Sequence, residues 1–199
     1  MYQKISEIIA TFFFIGKIKY APGTFGSLPA FPICYIIMYF TLKYKIVFNF
    51  SGYDFQESQI LTLFCIELIA ALLLFLIGTY CTHIYIDNKT EKDPKEVVID
   101  EVVGQMLTII FCSFSVIMTY PTSLPLHLDA QYIDIIFLFV MPFILLRVFD
   151  ICKPWPINWL DAKLKGAFGV MIDDVAAALF AIVVQYVIVF FILDFYPLI

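Results

Sequence analysis

The chain has 199 residues, of which 62% are hydrophobic, 18% aromatic and 15% charged, with a formal net charge of −5 and a mean hydropathy of +0.94. Soluble chains average about 45–50% apolar and about 25% charged residues, so this composition excludes an ordinary soluble domain and predicts one polytopic membrane unit over 1–199. The sequence offers no basic patch with interleaved aromatics, which argues against a nucleic-acid partner.

In chain order, Ile5, Ile8, Ile9, Phe12 and Phe13 recur at helical spacing with Ser6, Glu7 and Thr11 opposite. That pattern predicts an amphipathic helix lying in the interface or packed on the bundle. No small-residue cleavage site follows, so the run does not read as a removable signal. Ala21 to Ser27, with Pro22-Gly23 and a second glycine, reads as a turn-rich loop. A first apolar segment, roughly 28–41, carries Pro29 and Pro32 near its start. Its shortness leaves re-entrance open beside spanning, and spanning is the preferred reading. The second span covers 60–81, and a polar connection, 83–96, follows.

Asp93 as N-cap, Pro94 at the first helical position and Glu96 closing a capping box predict a helix start. That helix would carry Asp100, Glu101 and Gly104 into the third span, ending near Tyr120. Pro121 and Pro125 punctuate a short loop. The fourth span, about 132–149, contains Pro142 and ends at Arg147. A polar stretch leads to Asp173-Asp174 and the fifth span, Val175 to Leu193, whose nineteen residues include one polar member, Gln185, and suffice to cross a bilayer. The expected fold is therefore all-α: a bundle of about five spans with an N-terminal amphipathic helix. Five cysteines lie in or beside apolar segments without C-x-x-C spacing and read as buried hydrophobes.

Five spans place Lys4, Lys17, Lys19, Lys89, Lys92, Lys95, Arg147, Lys153, Lys163 and Lys165 on one side and only Lys43 and Lys45 on the other. The positive-inside rule makes the richer side cytoplasmic. Every polar stretch with chemical potential falls on that side. Gly23, Thr24 and Ser27 offer backbone approach and hydroxyls to an anion, although an ordinary loop explains them as well. Asp100 and Glu101 are adjacent acids at a membrane boundary. They read either as Mg²⁺ ligands, since hard oxygens suit that ion, or as a solvated acidic first turn. Arg147, Asp150 and Lys153, three apart, place plus, minus and plus on one helix face. They form a salt-bridged helix end or a phosphate clamp, Arg presenting a planar fork to phosphate oxygens. Trp155 and Trp159 suit interface anchoring. Acids that hold metal beside cations that hold phosphate point to metal-assisted chemistry on a membrane-borne phosphate ester.

The ordered motifs P-G-T-x-G-S, D-E-x-x-G, R-x-x-D-x-x-K-P-W-P and G-x-x-G-x-M-x-D-D, from Ala21 to Ala178, resemble the phosphatidylglycerophosphatase A family. Ala167 and Ala178 stand where that family often has glycine, both small-for-small changes. The resemblance implies a Mg²⁺-dependent phosphatase of the bacterial inner membrane that converts phosphatidylglycerophosphate in the bilayer to phosphatidylglycerol. On this reading Asp100, Glu101, Asp173 and Asp174 hold metal, and Asp150 is a further ligand or general base. Arg147, Lys153, Lys165, Thr24, Ser27 and Gly23 bind the phosphate. A water activated by the metal is the expected nucleophile, with a phosphoryl-aspartate as the alternative. No cysteine stands six positions before an arginine, no D-x-D occurs, and the two histidines, His83 and His127, fall on opposite sides of this topology. Those features argue against thiolate, haloacid-type and histidine nucleophiles. Glu67 falls in the outer half of its span and is expected to be paired in the bundle or to reach the outer interface. The rival function is a small cation transporter or channel subunit using the acids as an ion site.

Overall fold

A computed structural model describes residues 2–87, 89, 94–119 and 135–195. Helix α1 (Tyr2–Ala10) and a 3-10 turn (Ile15–Lys17) lead into α2 (Pro22–Ser27), α3 (Ala30–Lys43), α4 (Phe55–Ile86) and α5 (Ile99–Thr119). A π-helical turn (Ile136–Val140) then runs into α6 (Met141–Cys152), followed by α7 (Ile157–Lys163) and α8 (Ala167–Phe195). Among the described residues no strand occurs. Four helical stretches are long and apolar enough to cross a membrane: Pro22–Lys43, Phe55–Ile86, Ile99–Ile117 and Ala167–Phe191. The stretch expected to form the remaining span is helical from Ile136 to Cys152 and is not among those four.

Helix α5 is the centre. It is apolar on nearly every face, the pattern of a helix surrounded by others, and α2, α3, α4, α6 and α8 all pack on it. Val102, Val103, Met106 and Ile110 are fully buried along it. Helix α4 instead turns Leu72, Leu73, Leu76, Ile77 and Tyr80 outward, which suits contact with lipid. Its start is fixed by a capping box: Asp54 Oδ1 accepts the Glu57 N–H at 2.8 Å, and Glu57 Oε2 accepts the Asp54 N–H at 3.0 Å. The five cysteines are all free thiols.

Three local expectations are corrected. The Pro22–Ser27 motif is a helix and not a loop; proline tolerates the first turn, the Phe25 N–H reaches the Ala21 carbonyl at 3.2 Å, and Ser27 Oγ donates to the Gly23 carbonyl at 3.0 Å. The helix expected from Pro94 begins only at Ile99, because the stretch before it is held by α1: the Val98 N–H donates to the Ala10 carbonyl at 3.0 Å. The expected cap, Asp93, lies outside the described residues, as do Pro121, Pro125 and His127. Helix α1 keeps only part of its expected division of faces. Ser6 and Ala10, with Thr11 just beyond the helix, are buried; Ile8, Ile9 and Phe12 are half-buried, and Ile5, Phe13 and Phe14 point outward. In a membrane the outward face meets lipid, so small polar groups are the ones that fit tightly against α4.

Glu96 fastens the same corner. Lys89 Nζ lies 2.7 Å from its carboxylate, and the Tyr85 hydroxyl donates to it. The Lys89 ammonium, then the Tyr85 hydroxyl, hold Glu96 below the usual glutamate range. A lowered folded-state value means the contribution to stability is present above the unfolded value and is lost as pH falls through the folded one. Amide exchange at Val98, corrected for its intrinsic rate, should therefore accelerate as pH drops below about 4.

The π-turn has a compensation of its own. Pro142 cannot donate to the preceding turn, and Gln185 Nε2 on α8 donates instead to the Phe137 carbonyl at 2.8 Å. Gln185→Leu leaves that carbonyl unpaired and should lower stability by about 1 kcal/mol, measured as the unfolding midpoint in detergent.

Candidate functional site

The polar motifs meet at the end of the bundle where α2, α5 and α8 begin and α6 ends. Glu101, in the first turn of α5, lies directly against α2. A Cβ on Gly23 would stand 2.3 Å from Glu101 Oε1 and 2.8 Å from Arg147 Nη1, so only glycine lets α2 close on both groups. On the next face of α5, a Cβ on Gly104 would stand 3.2 Å from the Asp174 carbonyl oxygen and 3.3 Å from the Asp174 Cβ. The glycine of D-E-x-x-G is the notch that seats the acidic start of α8.

Arg147 Nη1 pairs with Asp150 Oδ2 at 3.2 Å, one helical turn on, as their spacing predicts. Lys153 does not continue that face. It caps α6 in the left-handed region at φ 38°, which is strained for a residue with a side chain. From there its Nζ reaches Asp173 Oδ2 at 2.6 Å and Asp161 Oδ2 at 3.1 Å. Partial burial opposes the lysine's charge, but the bonds to Asp173 and Asp161 outweigh it and raise the lysine above its usual range. Asp173 Oδ1 in turn accepts the Asp174 N–H at 3.1 Å. Both oxygens of Asp173 are thus engaged within the protein.

The other acids are less satisfied. Asp100 and Asp174 are 8% and 3% exposed; Asp174 lies within electrostatic range of Asp100, Asp150 and Asp173, and Glu101 within range of Asp174, Asp150 and Arg147. Asp100 Oδ1, Glu101 Oε2, Asp174 Oδ2, Arg147 Nε and Nη2, and both amide atoms of Gln105 are enclosed without a hydrogen-bond partner. Buried polar atoms are nearly always bonded, and such a concentration calls for an explanation. Acceptors of negative charge and donors of positive charge stand open together, as a site for a charged ligand requires. Among the described residues no three acids already surround one cation position.

The remaining expected site residues are distributed as follows. Ser27 is buried with its proton committed to Gly23. Thr24 is partly exposed on α2, and Lys165 is exposed on the connection before α8 without an ion pair among the described residues. Trp155 and Trp159 are exposed, and so is His83. Glu67, 8% exposed, lines an apolar cavity of about 130 Å³ with Phe31, Cys34, Phe64 and Ile109, and has no ion pair among the described residues. Gln105, which ends the stretch Asp100-Glu101-x-x-Gly104-Gln105, had no expected role; its i+4 spacing from Glu101 was the available signal for one.

Acid oxygens and a guanidinium, enclosed and unpartnered at one end of a bundle of membrane-length helices, define a membrane protein with a place for a charged ligand. Residues 8–189 match the model of the phosphatidylglycerophosphatase A family, and the chain belongs to that family; it is a phosphatase. It is 33% identical over 187 residues to a phosphatidylglycerophosphatase A of Haemophilus influenzae, covering 94% of this chain and 90% of that one. It is 28% identical over 180 residues to the Escherichia coli protein of the same name, covering 90% and 81%. A Bacteroides thetaiotaomicron relative, 29% identical over 180 residues with 88% of each chain covered, is provisionally named a phosphatidylinositol-3-phosphatase. No solved structure matches.

Gly23 supplies a test of this geometry that touches no acid. Gly23→Ala must displace Glu101 and Arg147 together, and misplacement of that kind costs on the order of 100-fold in rate. Phosphate release should fall by that factor while circular dichroism keeps the helical signal.

Proposed function

We propose that the chain hydrolyses the terminal phosphomonoester of phosphatidylglycerophosphate, giving phosphatidylglycerol and phosphate, with Mg²⁺ as cofactor and at the cytoplasmic face of a bacterial inner membrane. This would place it in phospholipid biosynthesis. One observation carries the reading: Asp100, Glu101 and Asp174 keep enclosed, unpartnered oxygens at the same end of the bundle as the unpartnered Arg147 Nε and Nη2, with Glu101 and Arg147 meeting at Gly23.

The donor set fits the ion. Mg²⁺ takes hard oxygen ligands and binds through one or two carboxylates together with substrate phosphate. Asp100, Glu101 and Asp174 are the residues with oxygen left to give, whereas Asp173 is held by Lys153. When bound, the ion would neutralise charge on the phosphoryl group and activate water. Arg147, tied to Asp150 on one edge, would keep the rest of its fork for phosphate oxygens and stabilise charge on them in the transition state. Asp150 would accept the proton of the attacking water, as a carboxylate oriented by Arg147. The water oxygen would bond to phosphorus as the bond from phosphorus to the glycerol oxygen breaks. The glycerol oxygen would take up a proton, equivalent to the one given to Asp150, to leave as an alcohol. Lys153 would hold Asp173 and the start of α8 in register, in place of the direct phosphate contact expected from its motif.

The names of the relatives bear on the headgroup. Two name phosphatidylglycerophosphate and the third, provisionally, a phosphoinositide; both compounds are phosphomonoesters on a lipid polyol. The test is phosphate release from phosphatidylglycerophosphate, with phosphatidylinositol 3-phosphate as comparison, by the purified protein in Mg²⁺ and after chelation. Chelation should abolish release and Mg²⁺ should restore it. Asp174→Asn should reduce release at least ~100-fold, a loss typical of removing an essential electrostatic group. Undiminished release after thorough chelation would refute the metal role.

A further inference from the structure

We infer that Gln105 reads the headgroup: its side-chain amide binds the free polyol hydroxyl beside the scissile phosphate, an assignment that rests on the lipid-phosphatase reading above. The side chain is fully buried, and neither its Oε1 nor its Nε2 has a hydrogen-bond partner. A buried amide in that state loses the hydrogen bonds water would give it and is destabilising unless something polar arrives to restore them.

Position says what arrives. Gln105 follows Glu101 by four residues on α5, so it lies on the same face, one turn or about 6 Å deeper. Glu101 marks the level of the site through its approach to Gly23 and Arg147. Further along the same stripe, Ile109, Ser113 and Ile117 line the apolar cavity beside Phe31 and Phe139. The amide therefore falls between the charged end and the hydrocarbon-lined end, at the depth of whatever joins a phosphate to its lipid.

Chemistry narrows the partner. An orphaned carboxamide presents a donor and an acceptor together. A phosphodiester or an ester carbonyl accepts only and would leave Oε1 unpaired. A cation would leave Nε2 unpaired. A hydroxyl satisfies both, donating to Oε1 and accepting from Nε2. The headgroup glycerol of phosphatidylglycerophosphate carries such a hydroxyl next to the carbon that bears the terminal phosphate.

The experiment compares two substrates on two proteins. The substrates are phosphatidylglycerophosphate and its analogue with that hydroxyl replaced by hydrogen; the proteins are wild type and Gln105→Leu. Wild type should favour the natural lipid in kcat/KM by about 10-fold to 100-fold. Gln105→Leu should lose that preference by slowing on the natural lipid alone, while it turns over the deoxy analogue at least as fast as wild type. Retained turnover of the analogue shows that the variant is folded. Equal losses on both substrates would make Gln105 structural and overturn the inference, as would an unchanged preference. Failure of wild type to release phosphate from either lipid would instead overturn the function on which the inference rests.

Discussion

The structure turns on the enclosure of like charges. Asp100, Glu101, Asp150, Asp173 and Asp174 crowd one end of a bundle whose described cations at that point are Arg147 and Lys153. Unit charges ~4 Å apart interact by about 4 kcal/mol at the effective dielectric of a protein surface, so the crowding works against folding unless it is neutralised. Two of the acids are answered internally: Asp150 by Arg147, Asp173 by Lys153. The others are left with oxygens unpaired. A protein that stops short of satisfying its own buried acids keeps binding energy in reserve for a ligand that can.

Close backbone approach is what makes the enclosure possible. α2 reaches Glu101 and Arg147 through a glycine, and the start of α8 settles against α5 through another, with Ala177, Ala178 and Ala181 continuing the tight contact below. In a lipid environment helices associate through such packing, since the hydrophobic effect drives little of it. The small residues of the motifs and the acids beside them thus serve one purpose. The former set the spacing that forces the latter together.

Much of this was legible in the sequence. Composition and apolar run length identified the spans, and the arrangement of basic residues gathered the acidic motifs at one end. The i, i+3 spacing found the Arg147–Asp150 pair. What escaped depends on contacts distant in sequence. Lys153 was assigned to a helix face by its spacing, but the helix ends there and the left-handed turn sends it to Asp161 and Asp173. Glycine and proline suggested a loop at Pro22–Ser27, because turn propensity carries no information about a helix that needs glycine for proximity. The spacing of Ser6 and Thr11 put them on one face but could not say which way that face turns; both are buried. Gln105 was visible at the end of the Asp100–Gln105 stretch but had no role there, because a neutral amide beside two acids suggests none; its enclosure distinguishes it.

Helix α4 has a consequence for the depth of the active end. Its 32 residues measure about 48 Å at 1.5 Å per residue, against a hydrocarbon layer of about 30 Å. If the apolar stretch 60–81 fills that layer, the last turn of α4 stands among the lipid headgroups and carries the Tyr85–Lys89–Glu96 corner with it. Gly78, a turn below, is the residue that touches Ile99, so Asp100 sits at the rim of the hydrocarbon and not above it. On that placement the buried acids lie level with the edge of the hydrocarbon, where the bilayer itself offers little water to solvate them.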